Sequence, residues 1–288
     1  MKVLISADME GTCGIVSWVQ VMPPEVAGSR EPSSLDEYLR GRERMTAEVN
    51  AAIEGALAGG ADEVIVNDSH DGMRNLLPDK LVADPAVRFI SGQDKPLGMV
   101  QGVDREGISA IFYTGYHAKA GTPAAPLAHT WSGWLNDVRL DGVSVGEFGI
   151  NAAIAGHFGV PVVLVTGDDK AVAQTQALLG DQVTGVVVKE GISTYAAYNL
   201  HPTTAQGLIR DAAEAAVRSA GDARPYLLEP GRAVELSFDH QARADAAVHV
   251  PGVSRSGERD VTWIPKNGEE FAITLRAIMK CAAISMSP

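Results

Sequence analysis

The chain has 288 residues, 45% hydrophobic and 21% charged, with no low-complexity tract, enough for one large domain or two ordinary ones around a substantial core. Its formal charge of −12, from 24 basic and 36 acidic residues, argues against a nucleic-acid or anionic-membrane partner, because both need basic patches. The two cysteines, Cys13 and Cys281, are too few for a disulfide scaffold or a cysteine-based zinc site, so any zinc would rest on His, Asp and Glu.

Residues 1–14, MKVLISADMEGTCG, form a short apolar run that stops on Asp8 and Glu10. If the strand continues through them, alternation puts both carboxylates on one face about 6 to 7 Å apart, a spacing that suits one or two metal ions. This start has no signal-peptide core, and no apolar span of about 18 residues occurs, so the expected location is cytoplasmic.

Residues 18–34 carry Pro23, Pro24, Gly28 and Pro32 and read as a surface loop. Ser34 and Glu37 make a capping box for a long helix, whose apolar positions Leu35, Leu39, Met45, Val49, Ile53 and Leu57 run up to Gly59. A second strand at 63–67 breaks at Asp68, Ser69 and His70, completing a right-handed βαβ unit. A weaker strand at 87–90 and another at 109–114 follow, the latter ending in Gly115, Tyr116 and His117.

A hairpin at 138–145 turns on Asp141 and Gly142, and a helix begins at Glu147. The strand at 161–166 ends on Asp168 and Asp169, which a helix N-terminus accounts for. Residues 1–190 are thus expected to be an α/β domain, a mostly parallel sheet covered by helices on both faces. Residues 191–288, with helices at 203–220 and 271–284 and a strand at 233–238, read as a smaller α+β C-terminal lobe.

In an open parallel sheet, ligands bind beyond the carboxyl ends of the strands. That edge collects Asp8 and Glu10, Asp68 and His70, and His117, with Glu147 opening a nearby helix. Carboxylates and imidazoles are the ligands of hydrolytic zinc, manganese or cobalt sites. Each also has an ordinary explanation: Glu147 as a helix-dipole acid, His70 and His117 as loop residues, Asp68 as a loop or outer-layer group. His129, in PLAHTWSGW, reads either as an acid, base or nucleophile over such a pocket or as a His packed on aromatics.

Five motifs then agree in order: SADMEG, VNDSH, GYHA, LAHTWSG and VGEFGIN. Together they resemble the zinc D-aminopeptidase family of bacteria, most clearly over the first 190 residues. The resemblance implies Asp8, Glu10, His70, His117 and Glu147 as ligands of two zinc ions per chain, and His129 as nucleophile or base. It also implies short-peptide substrates and a ring-shaped homo-oligomer, a homodecamer. The Pro-rich segment 21–33 and the two tryptophans after His129 depart from shorter family members. A non-catalytic metabolite-binding protein using the same sheet edge is the competing reading; a phosphate-ester hydrolase lacks support, since Lys119 and Arg74 are the only basic residues beside the ligand motifs and phosphate usually needs such partners.

Overall fold

The structure, a computed structural model, describes residues 1–28 and 33–285. In chain order the regular elements are β1 (Lys2–Ala7), α1 (Ser33–Ala58), β2 (Glu63–Asp68), β3 (Val87–Ile90), β4 (Ile108–Tyr116), β5 (Leu135–Leu140) and β6 (Val143–Val145). There follow α2 (Glu147–His157), β7 (Val162–Asp168), α3 (Asp169–Leu179), β8 (Thr184–Ser193), β9 (Ala196–Asn199) and α4 (Pro202–Ser219). The chain closes with β10 (Val234–Phe238), α5 (Gln241–Ala247), β11 (Ser254–Arg255), β12 (Asp260–Trp263) and α6 (Gly268–Ile284).

Seven strands form one sheet in the order β3-β2-β1-β4-β7-β8-β9, parallel except for the β8–β9 pair. Its strands are apolar on both sides because both faces are covered. Val3, Ile5 and Ala7 of β1 pack in the layer that holds α1 and α4, while Leu4 points into the opposite layer with α2 and α6. The expected α/β architecture is therefore the observed one. The order reverses at β1, whose neighbours β2 and β4 follow it on opposite sides, so a crevice opens beyond its carboxyl end.

A second, antiparallel sheet has the order β11-β12-β10-β5-β6. The β5–β6 hairpin turns through Asp141 and Gly142, both at positive φ, as the Asp-Gly pair suggested. The hairpin pairs with β10 although nearly a hundred residues separate them, whereas β9 and α4, both beyond residue 190, stay with the large sheet. No sequence expectation covered β8, β9, α5, β11 or β12.

Two local expectations change. Helix α1 starts at Ser33, one residue ahead of Ser34, and Leu35 and Leu39 are exposed, the buried stripe being Tyr38, Met45, Val49 and Ile53. Of the Pro-rich segment, residues 29–32 lie outside the described residues. Secondly, β1 ends at Ala7, so Asp8 and Glu10 sit in the turn that follows and not on the strand.

That turn is held by close backbone approach. Gly11 N–H donates to Gly115 O at 2.8 Å, and a Cβ on Gly11 would lie 1.8 Å from Tyr116 O. Backbone cannot yield as a side chain does, so we expect Gly11→Ala to destabilise the protein by about 3 kcal/mol or more and to lower its metal content. Denaturant unfolding with and without zinc measures both; an unchanged midpoint would contradict the packing described.

Candidate metal centre

The six residues that the family resemblance implies as ligands or base, Asp8, Glu10, His70, His117, His129 and Glu147, meet in one buried cluster. His70 Nδ1 lies 3.3 Å from Asp8 Oδ1 and 3.0 Å from Glu10 Oε2. His117 Nε2 lies 3.5 Å from Asp8 Oδ2 and 3.5 Å from Glu147 Oε2. His129 Nε2 is 3.9 Å from both Glu10 Oε1 and Glu147 Oε1. Two groups of three, Asp8, Glu10 and His70, and His117, His129 and Glu147, each bring their donor atoms within 4.8 Å of one another. Asp8 links the groups, since its two oxygens face different imidazoles.

Each imidazole is oriented by a backbone carbonyl, which can only accept. His70 Nε2 donates to Val21 O at 2.6 Å, His117 Nδ1 to Ala118 O at 3.0 Å and His129 Nδ1 to Leu127 O at 2.8 Å. The opposite ring nitrogens therefore turn towards the carboxylates. This is how metal-binding imidazoles are commonly held. Leu127 adopts a φ of 52°, unfavourable for a leucine, so the loop bears strain at the carbonyl that holds His129.

The outer groups arise from recognisable local devices. Asp68 accepts from the Asn75 and Leu76 amides, and Asn75 Nδ2 donates to His70 O, which closes the loop carrying His70. Asp68 is thus a loop-fixing residue. Asp168 caps α3 and also accepts from the Ala118 amide at 3.1 Å, beside His117. Glu147 is the first residue of α2, and its Oε1 takes the Trp131 amide at 2.7 Å. Lys189 of β8 is buried and donates to the carbonyls of Glu10, Thr12 and Ile15, pinning the acidic turn; burial pulls its pKa down to about 8. A lysine inside the run VVVKE was the sequence signal for it.

The other histidines stand elsewhere. His201 and His240 cap α4 and α5, His157 ends α2, and His249 is exposed. Cys13 is buried against Leu200 O, with burial raising its pKa to about 11, which makes it a packed thiol and not a nucleophile.

Three buried carboxylates without metal hold protons or imidazolium charge instead. Burial first, and Glu10 next, raise Asp8 to about 8. Burial opposes the charge on His117, but Glu147, Asp8 and Glu10 outweigh it and lift the group to about 10; Glu10 and Asp8 lift His70 in the same way. Burial resists ionisation of Glu10 and Glu147 too, yet His70 and His117 hold them low. His129 is shifted down, by burial and then by His117. Asp8 Oδ2, Glu10 Oε2 and His117 Nε2 are buried and make no hydrogen bond. Two carboxylate oxygens and an imidazole nitrogen converging without partners fit a cation once the imidazole proton is lost, so the donor set suits a divalent metal.

Asp8, Glu10, His70, His129 and Glu147 form one wall of a cavity of about 660 Å³. Trp18, Met22, Met73, Met99, Trp131 and Trp134 supply apolar lining. His129 stacks on His117 at 4.1 Å between ring centroids and meets Trp18 edge-on at 5.3 Å. Its side chain is 14% exposed, against 2–6% for the other five, so it is the member open to the cavity. Sequence reasoning missed the contribution of α6, whose Arg276, Met279 and Lys280 also line the space.

Known proteins resemble this chain in sequence and in fold. A D-aminopeptidase of Bacillus subtilis (strain 168) is 36% identical over 269 residues, covering 93% of this chain and 92% of the relative. A solved structure described as the Zn-dependent D-aminopeptidase DppA from Bacillus subtilis, a self-compartmentalizing protease, matches with a TM-score of 0.89 at 32% identity over 98% of both chains. The similarity extends well past residue 190, since the D-aminopeptidase family model of peptidase family M55 matches residues 1–277. With sequence, fold and family model agreeing over nearly its whole length, this chain belongs to the D-aminopeptidase family.

Proposed function

We propose that the chain is a zinc aminopeptidase acting on short, D-amino-acid-containing peptides, with two metal ions held by Asp8, Glu10, His70, His117 and Glu147. The observation that carries this reading is Asp8, whose two oxygens face His70 and His117, one in each half of the cluster. Three carboxylates offset much of the charge of two divalent ions. Zinc in such a setting polarises a carbonyl and makes a nucleophile available at neutral pH.

The protein's own groups do the rest. His129, whose charged form burial disfavours, offers Nε2 as a base to the attacking water and returns that proton to the leaving amine. Leu127 O keeps the other proton on Nδ1, so the basic nitrogen always faces the cavity. Glu10 and Glu147 flank the imidazole at 3.9 Å and stabilise the cation that forms. The peptide's free α-amine binds at the acidic wall, which makes the reaction an aminopeptidase one. The relative's self-compartmentalizing character supports a ring-shaped homo-oligomer, a decamer, whose inner space limits substrates to short peptides. No described helix is long and apolar enough to cross a membrane; a cytoplasmic location is proposed.

Metal loading must displace the protons held on His117, lifted to about 10, on Asp8, lifted to about 8, and on His70, whose pKa the neighbouring carboxylates raise despite burial. Raising the pH removes those protons without help from metal, so zinc affinity is expected to rise with pH, about tenfold per unit for each displaced proton. Chelator competition at pH 6, 7 and 8 measures the slope; a flat profile would contradict the charge assignment. The activity itself is tested on matched L- and D-aminoacyl amides and dipeptides, with and without chelator. Chelator-sensitive release from the D-compounds is expected, and metal-independent or absent hydrolysis would overturn the reading.

A further inference from the structure

Away from the metal cluster, the cavity has a second charged wall, built by Arg276 and Lys280 of α6 with Asp94. The two cations are four residues apart on one helix and so share a face. Both touch the Asp94 carboxylate. Two cations on one anion leave a surplus positive charge at this wall. Asp71, the other acid of the lining outside the metal cluster, is exposed to solvent.

Arg276 is the more enclosed cation, its side chain 14% exposed against 62% for Lys280. Its guanidinium carries five donors, and among the described residues Asp94 is its charged partner. One residue connects this group to the metal cluster. The Trp131 amide donates to Glu147 Oε1, while the far edge of the Trp131 ring borders Gly98 together with Arg276. A Cβ placed on Gly98 would lie 3.5 Å from Trp131 Cη2 and 3.7 Å from Arg276 Nη1. One tryptophan thus runs from the acidic wall towards the basic one, its amide on Glu147 and its ring edge at the Gly98 border that Arg276 shares.

An extended dipeptide spans at most about 7 Å, which is also the scale of that side chain. With its α-amine at the acidic wall and its scissile carbonyl at the metal cluster, a dipeptide places its carboxylate at the basic wall. We propose that Arg276 determines specificity by binding the free carboxylate of the departing residue, with Lys280 adding charge and Asp94 competing for the same guanidinium. This rests on the aminopeptidase reading and names the substrate class within it: unblocked dipeptides, ahead of amides and longer peptides. A guanidinium suits a carboxylate because two parallel N–H donors meet its two oxygens.

The test compares a D-aminoacyl dipeptide with its C-terminal amide, using zinc-loaded wild type, Arg276→Met and Asp94→Asn. Wild type is expected to prefer the free acid. Arg276→Met should raise KM for the acid about 10- to 100-fold, the size of a lost charged hydrogen bond, while the amide and kcat stay nearly unchanged. Asp94→Asn should shift the acid-over-amide ratio the other way, an effect that a merely structural role for Arg276 does not produce. Zinc content and melting temperature control for folding. Equal losses on acid and amide, or no preference in wild type, would overturn the assignment while leaving the aminopeptidase intact. Failure of zinc-loaded wild type on both compounds would overturn both readings together.

Discussion

Replacing His129 with alanine is expected to leave two metal ions on each chain and to lower kcat/KM by about 10²- to 10⁴-fold, the usual worth of a general acid–base group. The expectation follows from geometry. His129 stands farther from the carboxylates than His70 and His117 do, at 3.9 Å from two of them, and it alone of the six is appreciably open to the cavity. Its pKa is held down whereas those of the other two imidazoles are driven up, so it enters the reaction with a free lone pair. His129 could equally complete the group it forms with His117 and Glu147 as a ligand, and metal analysis separates the two roles. Two ions with lost turnover supports the base; loss of an ion from His129→Ala would make it a ligand, and near-normal turnover would remove it from the mechanism.

Asp8→Ala should have the larger effect on metal, weakening both sites by more than about 100-fold, because its one carboxylate faces both halves of the cluster. His117→Ala removes a donor from one half only and should lower metal content less. Stability responds in a distinctive way. Burial first, and then repulsion from Glu10, raise the pKa of Asp8 to about 8, so without metal its removal should cost little. With zinc present, wild type gains about 2.7 kcal/mol per occupied site at a hundred times the dissociation constant. Asp8→Ala should lose that gain. Melting with zinc and with chelator reads both states, and a variant that zinc still stabilises fully would contradict the shared role of Asp8.

The large sheet was legible because its strands are short apolar runs punctuated by Gly, Asp and His, and a parallel sheet buried on both faces demands such runs. The ligand candidates were legible for the same reason, as polar residues at the ends of strands. What stayed hidden needed pairing across long separations. The β5–β6 hairpin reads as a local unit, and nothing in its own residues says that β10 will complete its sheet. Arg276 and Lys280 look like surface charges on a closing helix until α6 is packed over the cavity. The acidic turn illustrates a third limit. Strand alternation led to the right pairing of Asp8 with Glu10 for the wrong reason, since the backbone leaves the strand at Ala7 and Gly11 packs the turn against β4.

Diffraction from zinc-loaded crystals at the zinc absorption edge tests the central claim most directly. Two anomalous peaks per chain are predicted, one among Asp8, Glu10 and His70, the other among Asp8, His117 and Glu147, with Asp8 common to both. A single peak, or peaks away from these side chains, would contradict the account.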